Sequence, residues 1–198
     1  MAMHKNRWQM VGLMVMALWT GGTLWAGNLV KNGDFTQETG GKPAAWSVAA
    51  SEQKVTVEKP EGKPGALKVE IVKDGGKNLG EIRQAIKLKK NTKYRVTADM
   101  KSSKAGLGLI QLKPRSSDRK ELARITAGTS KTEWATITKE FDSGEAVEVQ
   151  VLCRFSQKAN MVGGDCLFTN IVLTELDASG QPVDGAPATK PAEPKKSE

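Results

Sequence analysis

Histidine is all but missing from this sequence: the single copy, His4, lies near the start of the 198 residues. The rest of the chain therefore lacks the usual general base for an activated serine or cysteine and the commonest zinc ligand, which excludes nucleophilic triads and zinc hydrolysis. Aromatic side chains are scarce at 5%, and three of the five tryptophans (Trp8, Trp19 and Trp25) fall in the first 26 residues. That leaves few rings for stacking on a ligand. The one sizeable apolar stretch, Met10 to Trp19, is short for a full membrane span. No cysteine lies close behind it, so a lipoprotein anchor has no support. Nucleotide-binding glycine loops are also missing, since Gly106-Leu107-Gly108 is only a glycine-containing strand start.

What is present divides the chain in three. Lys5 and Arg7 precede the apolar stretch, and small residues over 21–26 follow it. This is the pattern of a secretory signal (residues 1–26) cleaved after Ala26, with an uncleaved anchor as the alternative. Cleavage leaves no stable membrane anchor and a secreted or periplasmic protein. Residues 177–198 are rich in Pro, Ala, Gly, Lys and Glu and hold no apolar side chain larger than Val183. Such a segment buries too little to offset its ordering entropy, and a disordered tail is expected. Between them, residues 27–176 make one domain of ordinary size. In an exported protein, the pair Cys153 and Cys166 is expected to form one disulfide, contributing roughly 3 kcal/mol. Two buried thiols are the alternative.

The formal net charge is +8. A basic surface suits anionic partners such as acidic polysaccharide, lipid headgroups or nucleic acid. Export argues against nucleic acid, and the charges are spread rather than run together.

Short alternating runs fill the domain: Val55 to Val57, Ala66 to Val72, Ile82 to Leu88, Tyr94 to Met100, a strand from Leu107, Glu133 to Phe141, Val147 to Phe155 and Cys166 to Leu173. Gly, Asn, Asp and Ser clusters separate them. Ser117 to Ile125 reads equally as a short helix or a loop. The fold class is all-β, an antiparallel sandwich.

Acids such as Glu81, Asp99, Glu133, Glu140, Asp142 and Glu148 alternate with core positions or occupy turns, and nothing marks a catalytic pair. No enzyme activity is expected. On the alternation, Arg83, Arg95 and Asp99 point away from the core, and Lys113 and Arg115 follow in the next strand. Guanidinium forks suit carboxylate or sulfate groups, so this region is the candidate grip on an acidic polysaccharide. A solvated basic face is the plainer reading of the same residues. Leu107, Leu109 and Gln111 set the next strand's inward parity, and Gln84 and Gln111 at core parity either satisfy buried strand ends or face a cleft.

Asn28-Leu29-Val30-Lys31-Asn32-Gly33-Asp34-Phe35, Trp46, Gly65 to Val69, Ile82 to Leu88 followed by Tyr94 to Ala98, Trp134, Phe141 and Leu167 to Leu173 occur in an order that resembles the jelly-roll carbohydrate-binding modules of the family 4, 9 and 22 group. The resemblance spans residues 28–175. It implies a galactose-binding-domain-like jelly-roll whose task is polysaccharide binding without catalysis, and it assigns Trp46, Tyr94 and Trp134 to the framework. Family members carry acids around a structural calcium where this chain has Thr36 and Thr169. Asn32, Asp34 and Asn170 remain as oxygen donors, but a neutral hydroxyl replaces carboxylate poorly on a hard cation, so no cofactor is expected. The carbohydrate-binding candidates are Arg83, Gln84, Arg95, Asp99, Gln111, Lys113 and Arg115. The rival is a structural module that binds a protein partner of the cell envelope.

Overall fold

The computed structural model describes residues 27–49, 53–73, 81–103, 108–155 and 162–183. The expected signal segment and the chain beyond Val183 lie outside these residues. The strands, in chain order, are β1 (Glu38–Thr39), β2 (Lys42–Pro43), β3 (Ser47–Ala49), β4 (Gln53–Glu58), β5 (Ala66–Ile71), β6 (Glu81–Lys87), β7 (Lys93–Ser102), β8 (Gly108–Arg115), β9 (Ile125–Thr129), β10 (Ala135–Asp142), β11 (Glu148–Phe155) and β12 (Asp165–Leu176). β1 and β2 pair as a small hairpin. The others form two five-stranded sheets, ordered β10-β7-β12-β5-β4 and β3-β6-β11-β8-β9. Ser117 to Ile125 contains no helix.

Period-two patterning explains the strands. In β7, Tyr94, Val96, Ala98 and Met100 are all buried, while the residues between them are not. Side chains two apart share a face, so one face of β7 closes on the core and the other stays polar. From the second sheet, Ile82, Ile86, Ile110, Leu112, Val149, Val151, Cys153 and Phe155 meet that face. The all-β, antiparallel sandwich is the architecture expected from the alternation, and its jelly-roll form is the one the family resemblance implies. Large rings fill it: Phe35 lies 5.3 Å from Trp46, and Tyr94 stacks on Phe141 at 5.6 Å.

The opening segment is not a strand. Residues 28–35 run as turn and loop, with Asn32 and Phe35 at positive φ (50° and 52°). Backbone of that kind cannot continue a ladder, and side chains take over. Asn28 Oδ1 accepts from the N–H groups of Val30 and Leu173, and Asn28 Nδ2 donates to Ile171 O. β12 answers with a register break between Thr169 and Val172, where Ile171 N turns to Gly33 O. At the other end, residues 177–183 fold back on β12: Leu176 bridges Pro182, and Arg95 donates to Gly180 O.

Candidate functional site

Because inward positions of β6, β8 and β11 are taken by the core, the intervening residues line the outer face of the second sheet. Registers set Arg83, Leu152 and Gln111 side by side, then Ala85, Gln150 and Lys113, then Lys87, Glu148 and Arg115. Arg154 lies opposite Leu109 and beside Glu81. With strands about 4.8 Å apart, the three strands make a patch about 10 Å wide.

Several of these outward residues are sunk rather than solvated: Leu152 is 0% exposed, Gln111 and Gln150 7%, and Lys113 8%. A buried polar atom without a partner is costly, so its location is informative. Among the described residues six such side-chain atoms occur, and four share this face: Gln111 Oε1, Gln150 Oε1, Arg115 Nε and Arg154 Nε. The other two belong to Gln53, in the opposite sheet. The face thus offers two acceptors and two donors that the protein itself leaves unused.

Its charges are only partly neutralised. Glu81 takes Arg83 at 2.7 Å and Arg154 at 3.6 Å. Glu121, from the loop after β8, takes Arg124 at 2.8 Å but stands 3.8 Å from Lys113. Burial presses the Lys113 ammonium below its ordinary pKa, and Arg154 adds to this. Burial likewise lowers Arg154. The hydrogen bond from Arg124 holds Glu121 ionised below the usual carboxylate range.

Four of the seven expected site residues therefore come together: Arg83, Gln111, Lys113 and Arg115. Three do not. Gln84 points inward and spends its amide on backbone, accepting from Lys31 N and donating to Lys31 O and Ala45 O. Arg95 and Asp99 lie on the outer face of the other sheet. Arg95 binds Glu140 there, and Asp99 accepts from Lys63, Thr136 and Asn170. Outward parity is the same on both sheets, but the two outward faces look in opposite directions. The parity assigned to β8 is also reversed. Ile110 and Leu112 are its core residues, which puts Leu109 and Gln111 outside. Gln150, Leu152 and Arg154 escaped the sequence reading, although they alternate with Val149, Val151, Cys153 and Phe155.

Trp134 is not framework either. It is half-buried outside the core, with Lys63 Nζ 4.9 Å and Lys101 Nζ 5.3 Å from its ring centroid. It accompanies Asp99 and lies away from the polar face of the second sheet.

The expected disulfide is corrected: Cys153 and Cys166 are both free, buried thiols. They enter the core from facing sheets. Burial pushes both thiols well above their ordinary pKa, which starves the thiolate that oxidation requires. The residues near the family's calcium position do not fit the ion. Asn32 clamps its own loop, donating to Gln37 O and Ala44 O, and Asp34 accepts from Thr36. Thr169 donates its hydroxyl to Gly65 O. Among the described residues no three acidic, histidine or cysteine side chains cluster for a metal.

The fold and its polar sheet face define a jelly-roll sandwich of the kind used by binding modules. The chain belongs to the CBM_4_9 family of carbohydrate binding domains, whose pattern matches residues 27–156. Solved structures share the fold at low identity. An arabinose-bound MgGH51 α-L-arabinofuranosidase superposes with TM-score 0.61 at 18% identity, covering 81% of this chain and 28% of that one. The chain thus spans little more than a quarter of that enzyme. A structure entitled "CBM4 structure and function" gives 0.52 at 14%, covering 73% of this chain and 98% of that one. The CBM22-1 xylan-binding domain from Paenibacillus barcinonensis Xyn10C gives 0.52 at 11%, covering 73% and 92%. No curated protein sequence matches this chain.

Proposed function

We propose that this protein is an exported, non-catalytic module that binds polysaccharide on the outer face of the second sheet. The observation that carries this reading is the set of four buried, partnerless polar atoms on adjacent strands, two accepting and two donating. A sugar hydroxyl both donates and accepts, so a polyol matches such a mixed set, whereas a simple anion serves only the donors. Leu109, partly exposed opposite Arg154, supplies an apolar contact beside them.

Acidic glycans are the favoured class. Cations outnumber carboxylates on this face; among the described residues Arg115 makes no ion pair and Lys113 has its nearest carboxylate at 3.8 Å. A uronate or sulfate would supply the missing counter-charge.

Electrophoresis through gels containing xylan, hydroxyethyl cellulose or polygalacturonate tests the reading. At least one polymer is expected to retard the protein, and Gln111→Ala with Gln150→Ala should weaken retention by roughly tenfold without lowering the melting temperature. Free migration in every gel at low salt would sink it.

A second reading, a module that docks an envelope protein, draws on one observation. The outward positions of β6, β8 and β11 hold no aromatic ring on which a pyranose could stack. Capture of an envelope protein that survives Arg83→Ala and Arg115→Ala would favour it.

A further inference from the structure

Glu121 is a carboxylate beside this face to which the binding proposal gives no contact with the ligand. It is not part of the sheet; the loop that follows β8 brings it back, and its backbone bridges Arg115. Arg124 Nε holds one of its oxygens at 2.8 Å. The other oxygen stands 3.8 Å from Lys113 Nζ, beyond hydrogen-bond range. Arg124 is mostly exposed, whereas the Lys113 side chain is only 10% exposed. The carboxylate is therefore tethered toward the rim, near the deepest cation of the face but not bonded to it.

From this arrangement we infer that Glu121 determines how strongly the face discriminates between acidic and neutral glycans. The inference rests on the carbohydrate-binding reading above. A ligand carboxylate that approaches Lys113 is drawn by Lys113, Arg115 and Arg154 and repelled by Glu121. A neutral sugar of the same shape feels neither force to first order. The charge of Glu121 thus subtracts from acidic ligands alone, and the Arg124 tether holds it in place within a few ångströms of Lys113. Coulomb repulsion over several ångströms in a partly solvated site corresponds to roughly tenfold in affinity.

The test compares polygalacturonate with its fully methyl-esterified form, which keeps the backbone and removes the charge. Affinity electrophoresis is run on the protein, on Glu121→Gln and on Glu121→Asp. Glu121→Gln is expected to bind polygalacturonate roughly tenfold more tightly and the ester within about twofold of the parent. Glu121→Asp, which keeps the charge, should stay close to the parent on both. Equal tightening on both polymers, no tightening on polygalacturonate, or the same gain from the Asp variant would overturn the inference. So would retention of neutral glycans alone by parent and Gln variant, which leaves carbohydrate binding itself standing. Free migration of all three proteins in these gels and in xylan and hydroxyethyl cellulose overturns both readings. Glu121 lies in a surface loop, and melting curves of the variants separate lost folding from changed selectivity.

Discussion

Gln84 and Gln111 are both glutamines in strand centres with nearly equal burial, yet they have opposite roles. Gln84 spends its amide on three backbone partners that tie the opening segment to β6. Replacing it with Leu removes the partner of the part-buried Lys31 N–H and of the Lys31 and Ala45 carbonyls. A loss of about 2 kcal/mol in urea unfolding is expected, with no specific effect on glycan retention. Gln111 leaves its carbonyl oxygen unused, so its loss should register in retention rather than in stability. Asp99 makes a pH-dependent contribution. Burial alone would raise its carboxyl, but hydrogen bonds from Thr136, Lys63 and Asn170 outweigh that and hold it below its ordinary value of 3.8. Its stabilisation is therefore complete above that ordinary value and is lost as pH falls through the lower folded value. Asp99→Asn should cost about 1–2 kcal/mol at neutral pH and flatten the acid limb of a stability-versus-pH curve. An unchanged acid limb would remove Asp99 from that role.

At the scale of elements, the junction between the opening segment and β12 joins chain ends that no local pattern connects. Gly65 is held against it so closely that an added Cβ would meet Phe35 O at 2.7 Å and Asp34 O at 2.8 Å. Backbone oxygens cannot swing aside as a side-chain tip does, so Gly65→Ala should lose about 1–3 kcal/mol by thermal or urea melting. Thr169 closes the same junction through Gly65 O, where the family resemblance implied a carboxylate and calcium. Melting curves in calcium and in EDTA should coincide, because Asn32, Asp34, Thr169 and Asn170 are each held by hydrogen bonds within the protein. A calcium-induced rise in melting temperature would show that those bonds give way to the ion.

The whole molecule sets two things that neither residue nor strand decides. Its sheets face one another, so outward residues of similar sequence character end on opposite sides: Arg83 joins the polar face, and Arg95 joins Glu140 far from it. Its core also encloses Cys153 and Cys166 from the two sheets. Both should resist thiol reagents until the protein is denatured, and reductant should leave the melting temperature unchanged. Two thiols per chain should then titrate in denaturant. A reductant-sensitive melt would instead reveal a bridge.

The strands were legible in the sequence because alternation is a local property. Tyr94, Val96, Ala98 and Met100 need no distant partner to declare a strand with one buried face, and so the all-β class could be read directly. β8 was harder, since Leu109 and Gln111 alternate as cleanly as Ile110 and Leu112, and only the facing sheet determines which set is covered. β3 and β9 are short and lack a strong pattern, so they appear only once β6 and β8 pair with them. The site divides along the same line. Residue types and spacings within each strand marked Arg83, Gln111, Lys113 and Arg115, but a period of two carries no information about which sheet a strand joins. Gathering Gln150, Arg154 and Glu121 around them, and sending Gln84, Arg95 and Asp99 elsewhere, required the pairing of strands distant in the chain.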